Sequence, residues 1–146
     1  QRCRRDIAFL RSAGDPTDDE SPDLMRALSS LTREFDTDGL EVYLTSSREP
    51  EPVPPHVVAA LARATGEALT NIRRHSGSES ASIEVDQSLG RTVVRVRDRG
   101  RGGAVIGPDG LGVRRSIIER LADVDGKAEV VSSAGRGTTV TLWWPA

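Results

Sequence analysis

One cysteine, Cys3, stands in 146 residues, so no disulfide can close within the chain, which suits a reducing compartment. No apolar run approaches the roughly 20 residues that cross a bilayer, and no signal peptide is visible. Charge of one sign is missing too: 20 basic residues stand against 22 acidic ones, a net charge of −2, and nothing in that balance implies nucleic acid as a partner. No GxxxxGK[ST] run occurs, and no Gly-x-Gly pair completes GxGxxG between a strand and a helix, which argues against a P-loop and a dinucleotide fold. Asp123-x-Asp125-Gly126 lacks the further acids of a calcium loop. No Ser/His/Asp or Cys/His set has a supporting pattern, and there is no internal repeat.

What is there amounts to one domain, long enough to bury its own core. The chain starts at Gln1 rather than Met and reads as a piece of a longer protein. Residues 1–13 are Arg-rich with Ile7, Phe9 and Leu10 and read as the tail of a helix begun upstream; residues 14–22 are a linker by composition. Charge is uneven: residues 1–51 hold seven Arg and twelve acids, whereas residues 52–146 hold thirteen basic and ten acidic residues. A phosphate site would want that excess, although so small a difference is also ordinary surface variation.

Residues 23–146 carry the periodic signals. Leu24, Leu28, Leu31 and Phe35 recur at helical spacing, with Ser21-Pro22 as cap and first turn and Gly39 as a stop. Leu40 to Thr45 alternates as a strand, and the proline-rich stretch from Glu49 to Pro55 is an extended connector. Val57, Leu61, Ala64, Ala68 and Ile72 form the stripe of a long second helix ending near His75. Ala81–Asp86 and Thr92–Asp98 read as an antiparallel pair joined around Leu89-Gly90. Residues 103–109 read as a loop; Val113, Ile117, Ile118 and Leu121 mark a third helix, and Asp125-Gly126 turns the chain. Ala128–Ser132 and Thr138–Trp144 are the last strands. The expected fold is a two-layer α/β sandwich, a mixed five-stranded sheet with three helices on one face.

Chemistry concentrates at a few places. Glu67, Asn71 and His75 are four residues apart on the second helix and share one side. With Val57 as origin and about 100° per residue, the apolar stripe spans about −20° to +60°, Asn71 falls near about −40° and Glu67 near about −80°. An amide oxygen and a carboxylate at the edge of a buried face can share a magnesium ion, a hard cation that prefers oxygen. Taken alone, the same residues would serve as the solvated flank of an amphipathic helix, and His75 as a complement to the helix dipole. Asp98 ends the run Val93–Arg97; an ionised carboxylate only accepts, so it would select the adenine amino donor over guanine, while a lone Asp there also opens turns. Gly100 and Gly102 would let backbone approach a ligand, and Gly110-Leu111-Gly112 sits just before the third helix, where free amides suit an anion, or is a plain helix entry.

In this order the motifs resemble the ATP-binding domain of the GHKL superfamily, and most closely that of bacterial two-component sensor histidine kinases. Glu67-x-x-x-Asn71-x-x-x-His75 is similar to the N box, Asp98-x-Gly100-x-Gly102 to the G1 box, Gly110-Leu111-Gly112 to the G2 box, and Ser133-Ala-Gly135-Arg-Gly137-Thr138-Thr139 to the closing segment before the last strand. Each motif is weak alone; four in order over about residues 53–145 are not. The resemblance implies Mg-ATP as cofactor, Asn71 as magnesium ligand, and Glu67 as a partner of that shell or as the group polarising the attacking atom. It implies Asp98 as the adenine reader, Thr138 as a water-mediated adenine contact, and His75 or Arg74 facing the phosphates. Arg73, Arg99, Arg101, Arg114, Arg115 and Arg136 lie beside the boxes and could steer a triphosphate. Such a domain donates the γ-phosphoryl group to a histidine on a separate dimerisation helix, from which it passes to a response regulator. Residues 1–13 would then end that helix in a homodimeric, membrane-bound parent whose kinase domain is cytoplasmic and touches neither membrane nor nucleic acid. Neither His56, after two prolines, nor His75 looks like the acceptor. The short stretch between Gly102 and Gly110 is similar to that of kinases paired with helix-turn-helix regulators. An anti-sigma-factor-type serine kinase and a nucleotide-binding interaction module without turnover are the alternatives.

Overall fold

The computed structural model describes residues 23–47, 51–75, 79–98, 108–133 and 137–146. The elements run α1 (Leu24–Thr37), β1 (Glu41–Ser46), α2 (Pro55–His75), β2 (Ser80–Ser88), β3 (Arg91–Asp98), α3 (Pro108–Ala122), β4 (Lys127–Ser133) and β5 (Gly137–Trp144). The five strands form one sheet in the order β1-β2-β3-β5-β4. β1 runs parallel to β2, as the crossover through α2 allows, and the remaining pairs are antiparallel. The sheet is therefore mixed.

Alternation places the helices on a single face. Along β2, Ala81, Ile83, Val85 and Gln87 are buried, and their β3 partners Asp98, Val96, Val94 and Thr92 are buried too. Val140 and Leu142 of β5 continue two of these rows. The intervening Glu84, Arg95 and Glu129 point to the other side, where Glu84 and Arg95 pair at 3.6 Å. Onto the apolar face α2 sets Val57, Leu61, Ala64, Ala68 and Ile72, all at most 2% exposed; α1 adds Leu24, Leu28 and Phe35, and α3 adds Ile117 and Leu121. The hairpin between β2 and β3 turns at Leu89 (φ 54°) and Gly90 (φ 77°), left-handed geometry that matches the twist of the strands.

Three expectations need adjustment. The cap of α1 is Asp23, whose Oδ1 accepts the Arg26 N–H at 3.0 Å; Ser21 and Pro22, with the rest of residues 1–22, lie outside the described residues. The third helix starts at Pro108, so Gly110 and Gly112 are inside it rather than before it. Proline suits a first helical position, where its missing N–H has no partner to lose, and the packed stripe of Ile117 and Leu121 carries the helix across two glycines despite about 1 kcal/mol of lost propensity each. Ile118, counted in that stripe, is 40% exposed. Among the described residues no helix is long and apolar enough to cross a membrane.

Because the Asp23 carboxylate satisfies an amide that the helix itself leaves open, Asp23→Ala should lower the unfolding free energy by about 0.5–2 kcal/mol. Urea denaturation checks this, and an unchanged midpoint would show that solvent serves the helix end equally well.

Candidate functional site

Asn71 lies near the C-terminal end of α2, at the edge of the apolar stripe, and is only 3% exposed. Among the described residues, neither its Oδ1 nor its Nδ2 has a hydrogen-bond partner. A buried polar group left unsatisfied costs about 1–3 kcal/mol, so a sequence that keeps one invites a ligand as explanation. The amide lines a cavity of about 560 Å³ together with Glu67, Thr70 and Arg74 of α2 and Val113 and Arg120 of α3. On the α1 side Leu31 and Phe35 give it an apolar wall.

Glu67 is half-buried and engaged. Ser116 Oγ lies 3.1 and 2.9 Å from its two carboxylate oxygens, and Arg120 Nε donates to Oε1 at 3.0 Å. The motif spacing correctly puts Glu67 beside Asn71, but the partners come from α3, where a serine and an arginine four apart give no advance signal. Arg73 also turns away: it pairs with Asp38 at 2.9 Å and stacks over the Phe35 ring at 5.6 Å, tying α2 to α1. Arg74 stays exposed at the cavity, Arg115 is exposed, and the Arg114 Nε is buried without a partner among the described residues.

The second group of residues gathers where β3 meets β5. Asp98, 4% exposed, accepts the backbone N–H of Thr138 on Oδ2 at 3.1 Å. Thr138 is itself buried, and its hydroxyl lies 3.1 Å from that of Ser132 on β4. Gly137 has φ +93°, and a Cβ there would run into the Asp98 carbonyl oxygen. The second glycine of the closing Gly-x-Gly is thus required by the approach of β5 to Asp98, a role that the motif alone does not reveal. Asp98 and Thr138 do not line the cavity beside Asn71. Both groups nevertheless belong to the interface between helices and sheet, because α2 packs on β3 and β5.

Gly110 and Leu111 occupy the first turn of α3, and Gly112 follows, exposed, with nothing within 4 Å of where a Cβ would be. His75 closes α2; its side chain and that of Leu111 lie outside the described residues, as do Gly100, Gly102, Arg99, Arg101 and Arg136 entirely. His56 is exposed in the first turn of α2. Among the described residues no cluster of three or more His, Cys, Asp or Glu could cage a metal, and a magnesium ion, which keeps waters and shares phosphate oxygens, needs no such cage.

Residues 56–146 match the model of the histidine kinase-, DNA gyrase B- and HSP90-like ATPases. The chain belongs to that ATPase family. Its relatives include the sensor histidine kinase MctS of Rhizobium johnstonii, 30% identical over 128 residues that make up 84% of this chain and 27% of that protein. The sensor histidine kinase LnrJ of Bacillus subtilis is 28% identical over 125 residues, 84% of this chain and 30% of that one. The chain therefore spans less than a third of the length of these relatives.

Among solved structures, the histidine kinase domain of the Erythrobacter litoralis EL346 blue-light activated kinase aligns with a TM-score of 0.58 at 21% identity, covering 84% of this chain and 58% of that one. The Acinetobacter baumannii histidine kinase AdeS aligns at 0.63 and 14% identity, covering 83% and 64%. These likenesses establish the fold, and in this ATPase-family domain the expected mixed five-stranded sheet with three helices on one face is present.

An amide buried without partners should burden the ligand-free domain. Asn71→Leu, which removes both polar atoms at similar size, is expected to raise its unfolding free energy by about 1 kcal/mol or more. Denaturant titration without nucleotide is the measurement, and a loss of stability would mean that the amide is already satisfied by solvent.

Proposed function

We propose that this domain binds Mg-ATP and donates the γ-phosphoryl group to a histidine on a separate dimerisation helix of a two-component sensor kinase. The observation that carries the reading is the Asn71 amide, buried, unpartnered among the described residues and lining the cavity of a domain in this ATPase family. The relatives' names, sensor histidine kinases, favour the histidine acceptor over the serine kinase and over a binder without turnover. Residues 1–13 would end the dimerisation helix and residues 14–22 would link it to the domain. The acceptor, the homodimeric and membrane-bound character of the parent, and the response regulator downstream belong to the larger protein.

The roles follow from the chemistry of the groups. Asp98 accepts from the adenine amino group while also accepting from Thr138 N–H; a carboxylate has about four lone-pair sites, enough for both. Thr138, with its buried hydroxyl, backs the base. Asn71 offers its side-chain oxygen to magnesium, with Glu67 one turn away as a member of the surrounding shell. Bound there, the ion would neutralise charge on the phosphates. Arg74 at the cavity rim, or His75 at the helix end, would face the phosphates, and the open amides of the first turn of α3, at Gly110-Leu111-Gly112, with Gly100 and Gly102 near the base, would cradle the nucleotide. Catalysis of this kind is positioning and charge neutralisation, without a covalent intermediate on the domain.

Asp98→Asn should weaken ATP and ADP binding about ten- to a hundredfold, the effect of losing a charge-assisted bond worth roughly 1.5–3 kcal/mol. Calorimetry with ATP and GTP checks this; equal affinity of the native domain for both would end the adenine assignment. Asn71→Ala should abolish phosphotransfer to an added dimerisation segment and erase the magnesium dependence of ATP affinity, with adenosine still bound. Native ATP affinity that ignores magnesium would return Glu67, Asn71 and His75 to an ordinary helix flank.

A further inference from the structure

Glu67 joins two helices. Ser116 and Arg120 stand four residues apart on α3, on one side of that helix, and both converge on the one carboxylate of α2: the serine hydroxyl bridges the two oxygens at 3.1 and 2.9 Å, and Arg120 Nε meets Oε1 at 3.0 Å. A hydroxyl astride both oxygens and a guanidinium N–H in fixed geometry set the orientation of the carboxylate, which a point charge would not do. The contribution to stability is small, because the side chains of Arg120 and Glu67 are 35% and 32% exposed and a pair so placed is screened by solvent. The place of the link along the helices is the informative part. Asn71 lies one turn beyond Glu67, about 6 Å along α2, and Gly112 lies one turn before Ser116, about the same distance along α3.

We propose that Ser116 and Arg120 are positioning residues: by holding Glu67 they fix the helix that carries Asn71 against the helix whose N-terminal end carries Gly110 and Gly112. The inference rests on the Mg-ATP reading above. A nucleotide in that reading is held from both helices at once, by the Asn71 oxygen on α2 and by amides at the start of α3. A displacement of about 1 Å between such points is enough to cost a large factor in rate, so a directional link one turn from each is placed to prevent it. Glu67 thereby acts through α3 rather than as an independent ligand.

The test compares the 146-residue chain with Glu67→Gln, Arg120→Gln, the double variant, Ser116→Ala and Arg120→Lys. The readouts are the gain in ADP affinity on adding magnesium, adenosine affinity and melting temperature. Each single variant, Arg120→Lys included because it lacks the Nε donor, should cut the magnesium-dependent gain by about five- to tenfold. Adenosine affinity and melting temperature should stay at native values, and the double variant should lose no more than either single. A double variant whose loss equals the product of the two single losses overturns the inference, because Glu67 and Arg120 then act independently. So does an unchanged gain in Arg120→Gln, or a fall in adenosine affinity and melting temperature in step with the gain. These results leave the Mg-ATP reading standing, whereas a native chain with no magnesium-dependent gain overturns both.

Discussion

The constraint on which the molecule depends is that its single covered sheet face must close over apolar side chains while leaving one amide without company. The stripe of α2 from Val57 to Ile72 is almost wholly removed from water, and burial of that kind is the main favourable term in folding. Asn71 sits inside the same boundary, 3% exposed and without a partner among the described residues. A helix rotated by one residue would turn the amide out to solvent but would also pull Ala68 and Ile72 from the sheet. The core therefore holds the functional group in place, and the penalty at Asn71 is offset by its apolar neighbours.

Much of this was legible in the residues themselves. Alternation along β2 and β3 and the 3.6-residue stripe of α2 follow from burial on one side only, so the strands, the helices and the mixed sheet could be read before any coordinates. The angular position of Asn71 at the edge of the stripe was legible for the same reason. What escaped reading depends on contacts between elements far apart in sequence. Glu67 finds Ser116 and Arg120 across 49 and 53 residues, and no local pattern encodes that meeting. The start of α3 escaped because two glycines weaken a helix locally, and only the tertiary packing of Ile117 and Leu121 restores it. Gly137 resembles any turn glycine until the Asp98 carbonyl is seen beside it.

The partition between α2 and α3 bears on which arginines are free for a ligand. Arg73 is held by Asp38 and Phe35 and Arg120 by Glu67, which commits two cations near the N-box motif to partners within the protein. Arg74, exposed on the cavity rim, keeps its charge available. Sequence proximity to a motif is thus a poor guide to charge function; the neighbouring helix decides which guanidinium is structural.

The strand order β1-β2-β3-β5-β4 has a kinetic consequence. β2 and β3 are consecutive in the chain, as are β4 and β5, so each pair can form by short loop closure, whereas the seam between β3 and β5 must close over the whole of α3 and β4. The entropy of that closure makes the seam a late, non-local event in assembly. Asp98 and Thr138 meet in this seam and nowhere else. A molecule that binds there binds only chains in which the two hairpins have already joined, and by mass action it draws the population toward that joined state.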